Sequence, residues 1–373
     1  MIIFTSICAN YAHKARTLAQ SVKRHMPDAR FVVCLTEREI PAAMRNDDCF
    51  DEIVLSKDMW EGNFDRFMFK HAIVEASTAV KGHFFLYLFK HFPKEDSYVY
   101  LDPDCYVYDD FTELREALQE KPIVLCPHLL HPGNVDMELS STAHGVYNLG
   151  FLAVTNSDEG RRLIQWWADR LFLYCYDDIA NGIFTDQKWM DLAPCFFDVK
   201  ILRHYGYDFA PWGLWGCKIE EKNGKFFVQG QPVKFVHYSG YGPVAEQCMD
   251  KWLQKGSEAF RKMYREYSVQ HEKNNEDGIS KTVWSYANYH SGEPIDNEVR
   301  RAYRKDHELM QSMDDPFAQS NRFFKKYFAG KQRGKTMHEA WLVVKMRNAR
   351  RILKEDGFAA LVKRFFEKVK NKL

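Results

Sequence analysis

Residues 97–110 read SYVYLDPDCYVYDD, an apolar and aromatic run interrupted by two carboxylates, Asp102 and Asp104, with one proline between them. The β-branched and aromatic residues before the carboxylates predict a buried strand. A hard divalent cation prefers oxygen ligands, and two carboxylates at a strand end suit such an ion, with water or phosphate completing its shell. Because Asp and Pro are also common turn residues, an acidic turn is the alternative interpretation.

Strand-like and helix-like stretches alternate before this run. Apolar runs predict strands at 2–8, 30–36 and 52–56, and helical spacing predicts helices at 12–26 and 64–92, the second with a break at Gly82. This βαβ order predicts an α/β fold with a mostly parallel sheet covered by helices. Ligands of such sheets bind at the carboxyl ends of the strands, where Asp102 and Asp104 would lie.

The rest of the chain divides into a continued body, a helical extension and a tail. In the body we predict strands at 123–128, 148–154 and 233–240, a polar loop at 128–145, a helix at 157–175 capped by Ser157, and a hairpin around Asn223 and Gly224. The loop is long enough to cover a site. We therefore expect a body domain at 1–245, a helical extension at 246–330 and a basic amphipathic helical tail at 331–373.

Composition narrows the class of protein. A chain of 373 residues with 46% hydrophobic content can bury a sizeable core. The nine cysteines include no C-x-x-C pair, so we expect buried thiols in a reducing compartment. The N-terminus does not resemble a secretory signal, and the longest apolar run is too short to span a membrane. These features predict a cytoplasmic protein.

Charge is distributed unevenly along the chain. Residues 320–373 hold 16 Lys and Arg against 4 Asp and Glu, a balance of +12, which leaves −11 for residues 1–319. In the tail, Phe358, Phe365 and Phe366 belong to one apolar stripe, with basic residues at other positions. We expect the tail to meet an anionic surface, either the inner face of a membrane or the acidic body itself, and we expect no nucleic-acid partner.

A later histidine strengthens the case for a metal. His237 ends the last predicted strand of the body, in the segment HYSGYGP, and an imidazole from a distant strand would complete a site with Asp102 and Asp104. Gly240 and Gly242 allow the backbone to approach a phosphate closely. On its own, a histidine in this place is more often a packed or solvated residue.

Five segments in order make residues 1 to about 245 similar to retaining glycosyltransferases of the GT-A (Rossmann-like) fold, in particular the family-eight type that includes glycogenin and bacterial lipopolysaccharide galactosyltransferases. They are TSICANYAH, YVYLDPD, YNLGFLAV, TDQKWM and HYSGYGP. The resemblance implies that Asp102, Asp104 and His237 hold Mn²⁺ or Mg²⁺ against a nucleotide diphosphate sugar, most commonly a UDP-sugar.

The same resemblance implies roles for other residues. Tyr11 would contact the nucleoside, and Gly240 would offer its backbone N–H to the diphosphate. Asn148, Asp186 and Gln187 would line the sugar pocket, with Gln187 and Asp186 at the catalytic centre and Gln187 close to the β face of the anomeric carbon. Each of these side chains also has an ordinary structural alternative; Asp186, for instance, could be a helix N-cap.

The match has one gap. Where the family has a lysine before the last proline, this chain has Gly242 before Pro243. We expect Lys70, or Arg66 beside it, to supply the missing cation, since Lys70 lies in an otherwise apolar helix before the acidic strand. The alternative is that both are exposed residues on a helix.

The resulting hypothesis is a metal-dependent retaining hexosyltransferase that acts on a glycan or lipid-linked saccharide, in bacterial surface polysaccharide synthesis. A phosphatase of the haloacid dehalogenase type and a sugar nucleotidyltransferase fit poorly, because the second acidic motif of the first and the glycine-rich loop of the second are missing. A catalytically silent sugar- or nucleotide-binding module of the same fold, tethered to a membrane, is the alternative.

Overall fold

The computed structural model describes residues 1–253 and 258–331. Two compact units divide at Tyr289: the first covers Met1–Asn288 and the second begins at Tyr289. The predicted domain boundaries at residues 245 and 330 stay predictions, and the predicted basic tail at 331–373 lies outside the described residues apart from Lys331. All nine cysteines are free thiols, six of them buried, as their scattered spacing predicted.

Strands and helices alternate through the first unit. The strands are β1 (Ile2–Ile7), β2 (Arg30–Leu35), β3 (Glu52–Leu55), β4 (Tyr98–Leu101), β5 (Cys105–Val107), β6 (Ile123–Leu125), β7 (Phe151–Val154), β8 (Asp177–Asp178), β9 (Ile183–Phe184), β10 (Val199–Ile201), β11 (Ile219–Lys222), β12 (Lys225–Val228), β13 (Gln231–Pro232) and β14 (Phe235–His237). The helices are α1 (Ala12–His25), α2 (Phe64–Phe69), α3 (Ile73–Ala79), α4 (Lys81–His91), α5 (Thr112–Glu120), α6 (Val135–His144), α7 (Asp158–Tyr174), α8 (Ala193–Phe196), α9 (Pro243–Trp252) and α10 (Glu258–Lys273).

Seven strands form the main sheet, in the order β10-β6-β7-β4-β1-β2-β3. Strand β7 runs antiparallel to both of its neighbours, and the other paired strands of this sheet are parallel. Strands β1 and β4 are buried along their whole length, as expected for a sheet covered on both faces. The predicted α/β class with a mixed, mainly parallel sheet is confirmed.

Strand β5 leaves the main sheet and pairs with β14 instead. The chain turns between β4 and β5, where the N–H of Cys105 donates to the carbonyl of Asp102 at 3.0 Å. The antiparallel register of the β5–β14 pair sets His237 opposite Cys105. Side chains at the end of β14 therefore lie beside the turn that carries Asp102 and Asp104.

Two local predictions were wrong. The predicted break at Gly82 is absent, because Gly82 lies inside α4 where the helix packs against α7: a Cβ on Gly82 would lie 2.7 Å from the Cα of Ala168. The breaks come at Lys70–Ala72 and at Val80, between short helices. The polar segment at 128–145, predicted to be a loop, contains α6, whose N-cap Asn134 accepts a hydrogen bond from the N–H of Met137.

The second unit is helical where it is described. It contains α11 (Asn297–Tyr303) and α12 (His307–Ser312), and residues 321–331 are also helical. Asn321 joins the helix at 321–331 to the start of this unit. Its side chain donates to the carbonyl of Pro294 at 2.8 Å and accepts from the hydroxyl of Tyr289 at 3.0 Å. Among the helices of residues 1–253 and 258–331, none is both long enough and apolar enough to cross a membrane.

Candidate functional site

Three side chains that are far apart in sequence meet at the turn after β4. The Nε2 atom of His237 lies 3.1 Å from Oδ1 of Asp104 and 3.6 Å from Oδ2 of Asp102. The backbone holds this arrangement from both sides. The N–H of Tyr238 donates to the carbonyl of Asp104 at 2.8 Å, and the N–H of Asp102 donates to the carbonyl of Gly150 at 2.9 Å.

Only glycine at position 150 leaves room for the imidazole. A Cβ there would lie 2.4 Å from both Cε1 and Nδ1 of His237. The side chain of Asn148, two residues earlier, lies against the same ring, with Nδ2 at 3.2 Å from Nδ1 of His237. The segment NLG at 148–150, directly before β7, therefore shapes the space that the His237 ring occupies.

These residues fit a divalent cation. One ligand atom from each of Asp102, Asp104 and His237 can be chosen so that the three lie within 4.8 Å of one another, and two carboxylates with one imidazole suit Mn²⁺ or Mg²⁺. Burial disfavours the charged forms of Asp104 and His237, but the attraction between these two side chains outweighs the effect of burial. This attraction, together with that of Lys14, lowers the pKa of Asp104. The carboxylates of Asp104 and Asp208 raise the pKa of His237 well above its ordinary value.

Asp208 lies on the other side of the same imidazole and was not predicted from the sequence. Its Oδ1 atom is 3.4 Å from Nδ1 of His237, and its side chain is only 1% exposed. Burial raises the pKa of Asp208 to about 6, and the neighbouring carboxylates of Asp102 and Asp104 add to the rise against the opposing effect of His237. An aspartate between aromatic residues, in YGYDF, gave little signal by itself.

A buried lysine, Lys81, bridges two carboxylates at this site. Its ammonium lies 2.9 Å from Oδ2 of Asp186 and 3.3 Å from Oδ1 of Asp102, and it donates to the carbonyl of Leu149 at 3.2 Å. Burial alone would lower the pKa of Lys81, but the two carboxylates outweigh it and raise that pKa. The side chain is 2% exposed, and the two carboxylates keep it charged inside the protein.

A cavity of about 510 Å³ opens beside these groups. Six residues already described or predicted contribute to its wall: Lys81, Asp102, Asn148, Asp186, Gln187 and His237. Gln187 is held at both ends of its amide, since Oε1 accepts from the N–H of Leu149 at 3.0 Å and Nε2 donates to the carbonyl of His144 at 3.2 Å. Helix α6 forms another part of the wall through Met137, Ser140, Ser141 and His144.

Lys14 links Tyr11 to the acidic turn. Its ammonium lies 3.6 Å from Oδ2 of Asp104 and 4.3 Å from the centre of the Tyr11 ring, which is 39% exposed. Gly240 lies in the turn after β14 with φ +69°, and a Cβ there would lie 2.9 Å from Cβ of Val244, which lines the cavity. The structure thus gathers Tyr11 near Asp104, and Gly240 near the cavity.

Lys70 lies in another environment. Its ammonium donates to the carbonyl of Phe172 and lies 5.0 Å from the ring centres of Phe67 and Phe172, and it does not contribute to the cavity wall. Lys70 and Lys81 are both lysines in apolar helical sequence before the acidic strand. The sequence pattern that favoured Lys70 applied equally to Lys81, and only the packing of α4 distinguishes them.

No family model matches the chain. Two curated relatives from Bacillus subtilis strain 168, both uncharacterized, match part of it. YfnF is 25% identical over 159 residues, which is 40% of this chain and 51% of YfnF, and YfnD is 20% identical over 176 residues, which is 46% of this chain and 56% of YfnD. The matched stretch therefore spans about half the length of these relatives.

Several solved structures of glycosyltransferases are similar to this chain. The galactosyltransferase LgtC, in complex with donor and acceptor sugar analogs, gives a TM-score of 0.45 at 18% identity, covering 73% of this chain and 96% of LgtC. The glycosyltransferase GlyE of Streptococcus pneumoniae TIGR4 gives 0.40 at 16% identity, covering 76% of this chain and 65% of GlyE.

Proposed function

We propose that this chain is a metal-dependent glycosyltransferase of the GT-A fold that moves a hexose from a nucleotide diphosphate sugar to an acceptor. One observation carries the proposal. Asp102, Asp104 and His237 meet at the carboxyl end of a central strand, on the edge of a cavity that Lys81 and Asp186 also line. Oxygen and imidazole ligands at the edge of a cavity suit a diphosphate ester whose leaving group must be stabilised.

In this proposal Asp102, Asp104 and His237 hold Mn²⁺ or Mg²⁺. A bound divalent ion would stabilise the negative charge that develops on the departing diphosphate. Lys14 adds a cation on the Tyr11 side of the turn, where the nucleoside would lie. Lys14 is thus a better candidate than Lys70 for the charge that the sequence lacks before Pro243.

The sugar would lie in the cavity between the acidic turn and Gln187. The Gln187 amide is fixed by two backbone hydrogen bonds, and an amide is a poor nucleophile. Asp186 is paired with the buried Lys81, which holds its carboxylate in place. These features favour transfer on the face from which the diphosphate leaves, the retaining outcome that the resemblance implies, over a covalent intermediate on Gln187. Asn148 would orient the sugar and the His237 ring together.

The donor in this proposal is a UDP-hexose and the acceptor a glycan or lipid-linked saccharide, as in bacterial surface polysaccharide synthesis. The basic segment at 331–373 would keep the enzyme at the inner face of the plasma membrane, beside such an acceptor. These assignments rest on the resemblance and on charge.

The experiment is donor hydrolysis by the full chain. UDP-glucose, UDP-galactose, UDP-N-acetylglucosamine and GDP-mannose are incubated separately with Mn²⁺ or with EDTA, and released nucleotide is measured. We expect release from at least one donor with Mn²⁺ and none with EDTA. Asp104→Asn should lower the rate by about 100-fold or more, since a metal ion contributes several kcal/mol to stabilising the charge that develops in the transition state.

Asp109→Asn is the matched control. Asp109 belongs to the same acidic stretch, but its carboxylate faces Lys225 at 3.2 Å instead of His237, so the rate should stay near that of wild type. If nucleotide binds with Mn²⁺ but no donor is turned over, the catalytically silent module is the correct function. If neither binding nor turnover occurs, the nucleotide-sugar site itself is wrong.

A further inference from the structure

Asp208 is an unusual residue for a buried position. Both of its carboxylate oxygens are buried and have no well-aligned hydrogen-bond donor among the described residues. Its backbone is in the left-handed region, with φ +53°, although it is not a glycine. Each feature costs free energy and persists where the surroundings enforce it.

The imidazole of His237 accounts for the position of Asp208. A backbone hydrogen bond brings the residue to His237: the N–H of His237 donates to the carbonyl of Phe209 at 2.8 Å, and Phe209 directly follows Asp208. Oδ1 of Asp208 then lies 3.4 Å from Nδ1 of His237. The two ring nitrogens thus face different partners, because Nε2 faces Asp102 and Asp104 and Nδ1 faces Asp208 and Asn148.

The chemistry of a ligating imidazole decides between the two partners of Nδ1. When Nε2 binds a cation through its lone pair, the neutral ring carries its proton on Nδ1, and that N–H needs an acceptor. The group that Asn148 presents to Nδ1 is its amide nitrogen, which is a donor. The carboxylate of Asp208 is therefore the acceptor available at this distance.

We propose that Asp208 is a positioning residue for the metal centre: it accepts the Nδ1–H of His237 and so holds the ring with Nε2 directed at Asp102 and Asp104. This inference rests on the proposed function, since it assigns a supporting residue to that same site. Asp208 touches neither donor nor reacting atoms in this role. It acts through the orientation and proton position of His237.

The test is Mn²⁺ binding without any donor, followed by the electron paramagnetic resonance signal of free Mn²⁺. Supporting hydrogen bonds of this kind change metal affinity by about 10–100-fold, so Asp208→Ala should raise the Kd for Mn²⁺ by roughly that factor. Asp208→Asn keeps an oxygen acceptor and tolerates positive φ, so it should restore most of the affinity. Asp109→Ala, which removes a carboxylate that faces Lys225 instead of His237, should leave Mn²⁺ affinity unchanged.

Thermal unfolding of the metal-free proteins separates positioning from packing. We expect Asp208→Asn to unfold at a temperature close to that of wild type, because it keeps the shape and the oxygen acceptor of the side chain. Equal Mn²⁺ affinity in wild type and Asp208→Ala, or an Asn variant that restores nothing, overturns the inference while leaving the proposed function intact. Failure of wild type itself to bind Mn²⁺ overturns the metal-dependent function and this inference together.

Discussion

At the scale of single residues, Lys81 pairs with the buried carboxylate of Asp186 and with the partly exposed carboxylate of Asp102. Removing one partner of a buried ion pair costs about 3–5 kcal/mol, because the remaining charge stays desolvated. We therefore expect Lys81→Met to lower the free energy of unfolding by about 3 kcal/mol, measured by chemical denaturation without metal. Asp186 should account for most of the loss, since its side chain is 4% exposed and that of Asp102 is 27% exposed.

A second lysine of α4 provides the control. Lys90 lies exposed in the last turn of the same helix, so Lys90→Met should change stability by less than about 0.5 kcal/mol. Adding Asp186→Asn to Lys81→Met should recover part of the lost stability, because it removes the unpaired carboxylate. Equal stability of the two lysine variants would mean that the buried ion pair contributes nothing to folding.

At the scale of elements, the contact between α4 and α7 depends on Gly82. Alanine is the better helix former by about 1 kcal/mol, so propensity alone predicts that Gly82→Ala stabilises. The added Cβ would lie 2.7 Å from Cα and 2.9 Å from N of Ala168, both backbone atoms that cannot move aside. Overpacking of this kind costs about 1–3 kcal/mol, and we expect a net loss of stability in chemical denaturation.

Gly330 offers the matched substitution. It is also helical, and a Cβ there would meet no atom within 4 Å, so Gly330→Ala should be neutral or stabilising. A stabilising effect at both positions would show that α4 and α7 can separate at little cost. The close packing would then not be what keeps glycine inside α4.

The same contact shows where sequence patterns stop being informative. Periodicity predicts β1, α1, β2 and α7 to within one or two residues, and Asn223-Gly224 predicts the hairpin of β11 and β12, because each signal is local. From the sequence alone, a glycine in a helical stretch predicts a helix break, because the helix that packs against it is not known. The same holds for Lys81 and Asp208, because their partners are distant in sequence: Asp186 lies 105 residues after Lys81, and Asp208 faces His237 at the end of β14.

Motif order predicted more of the site than periodicity did. Asp102, Asp104 and His237 were grouped from three short segments, and the register of β5 against β14 brings them within contact distance. Its apolar helical context favours Lys70 as the phosphate-contacting cation that is missing before Pro243, whereas the lysines that contact the carboxylates of this group are Lys81 and Lys14. Which lysine of an apolar helical stretch faces a distant carboxylate depends on how the helix is rotated about its axis. The spacing of residues in the sequence does not specify that rotation.

At the scale of the whole molecule, charge separates an acidic body from a basic C-terminal segment. Residues 1–319 carry a balance of −11 and residues 320–373 a balance of +12. Charges of opposite sign at these densities attract either each other or an external anionic surface, and salt weakens both attractions. The two arrangements predict different effects of reversing the charge of the tail.

We expect the full chain to bind vesicles of phosphatidylglycerol and phosphatidylcholine in a sedimentation assay, and to lose this binding as salt is raised. Each basic residue near an anionic surface contributes about 1 kcal/mol, so replacing Lys363, Arg364, Lys368 and Lys370 with glutamate should abolish binding. Vesicles of phosphatidylcholine alone are the control and should bind neither protein. If wild type does not bind, and the charge-reversed variant unfolds at a lower temperature than wild type, the basic segment pairs with the acidic body, and an acceptor at the membrane must be reached in another way.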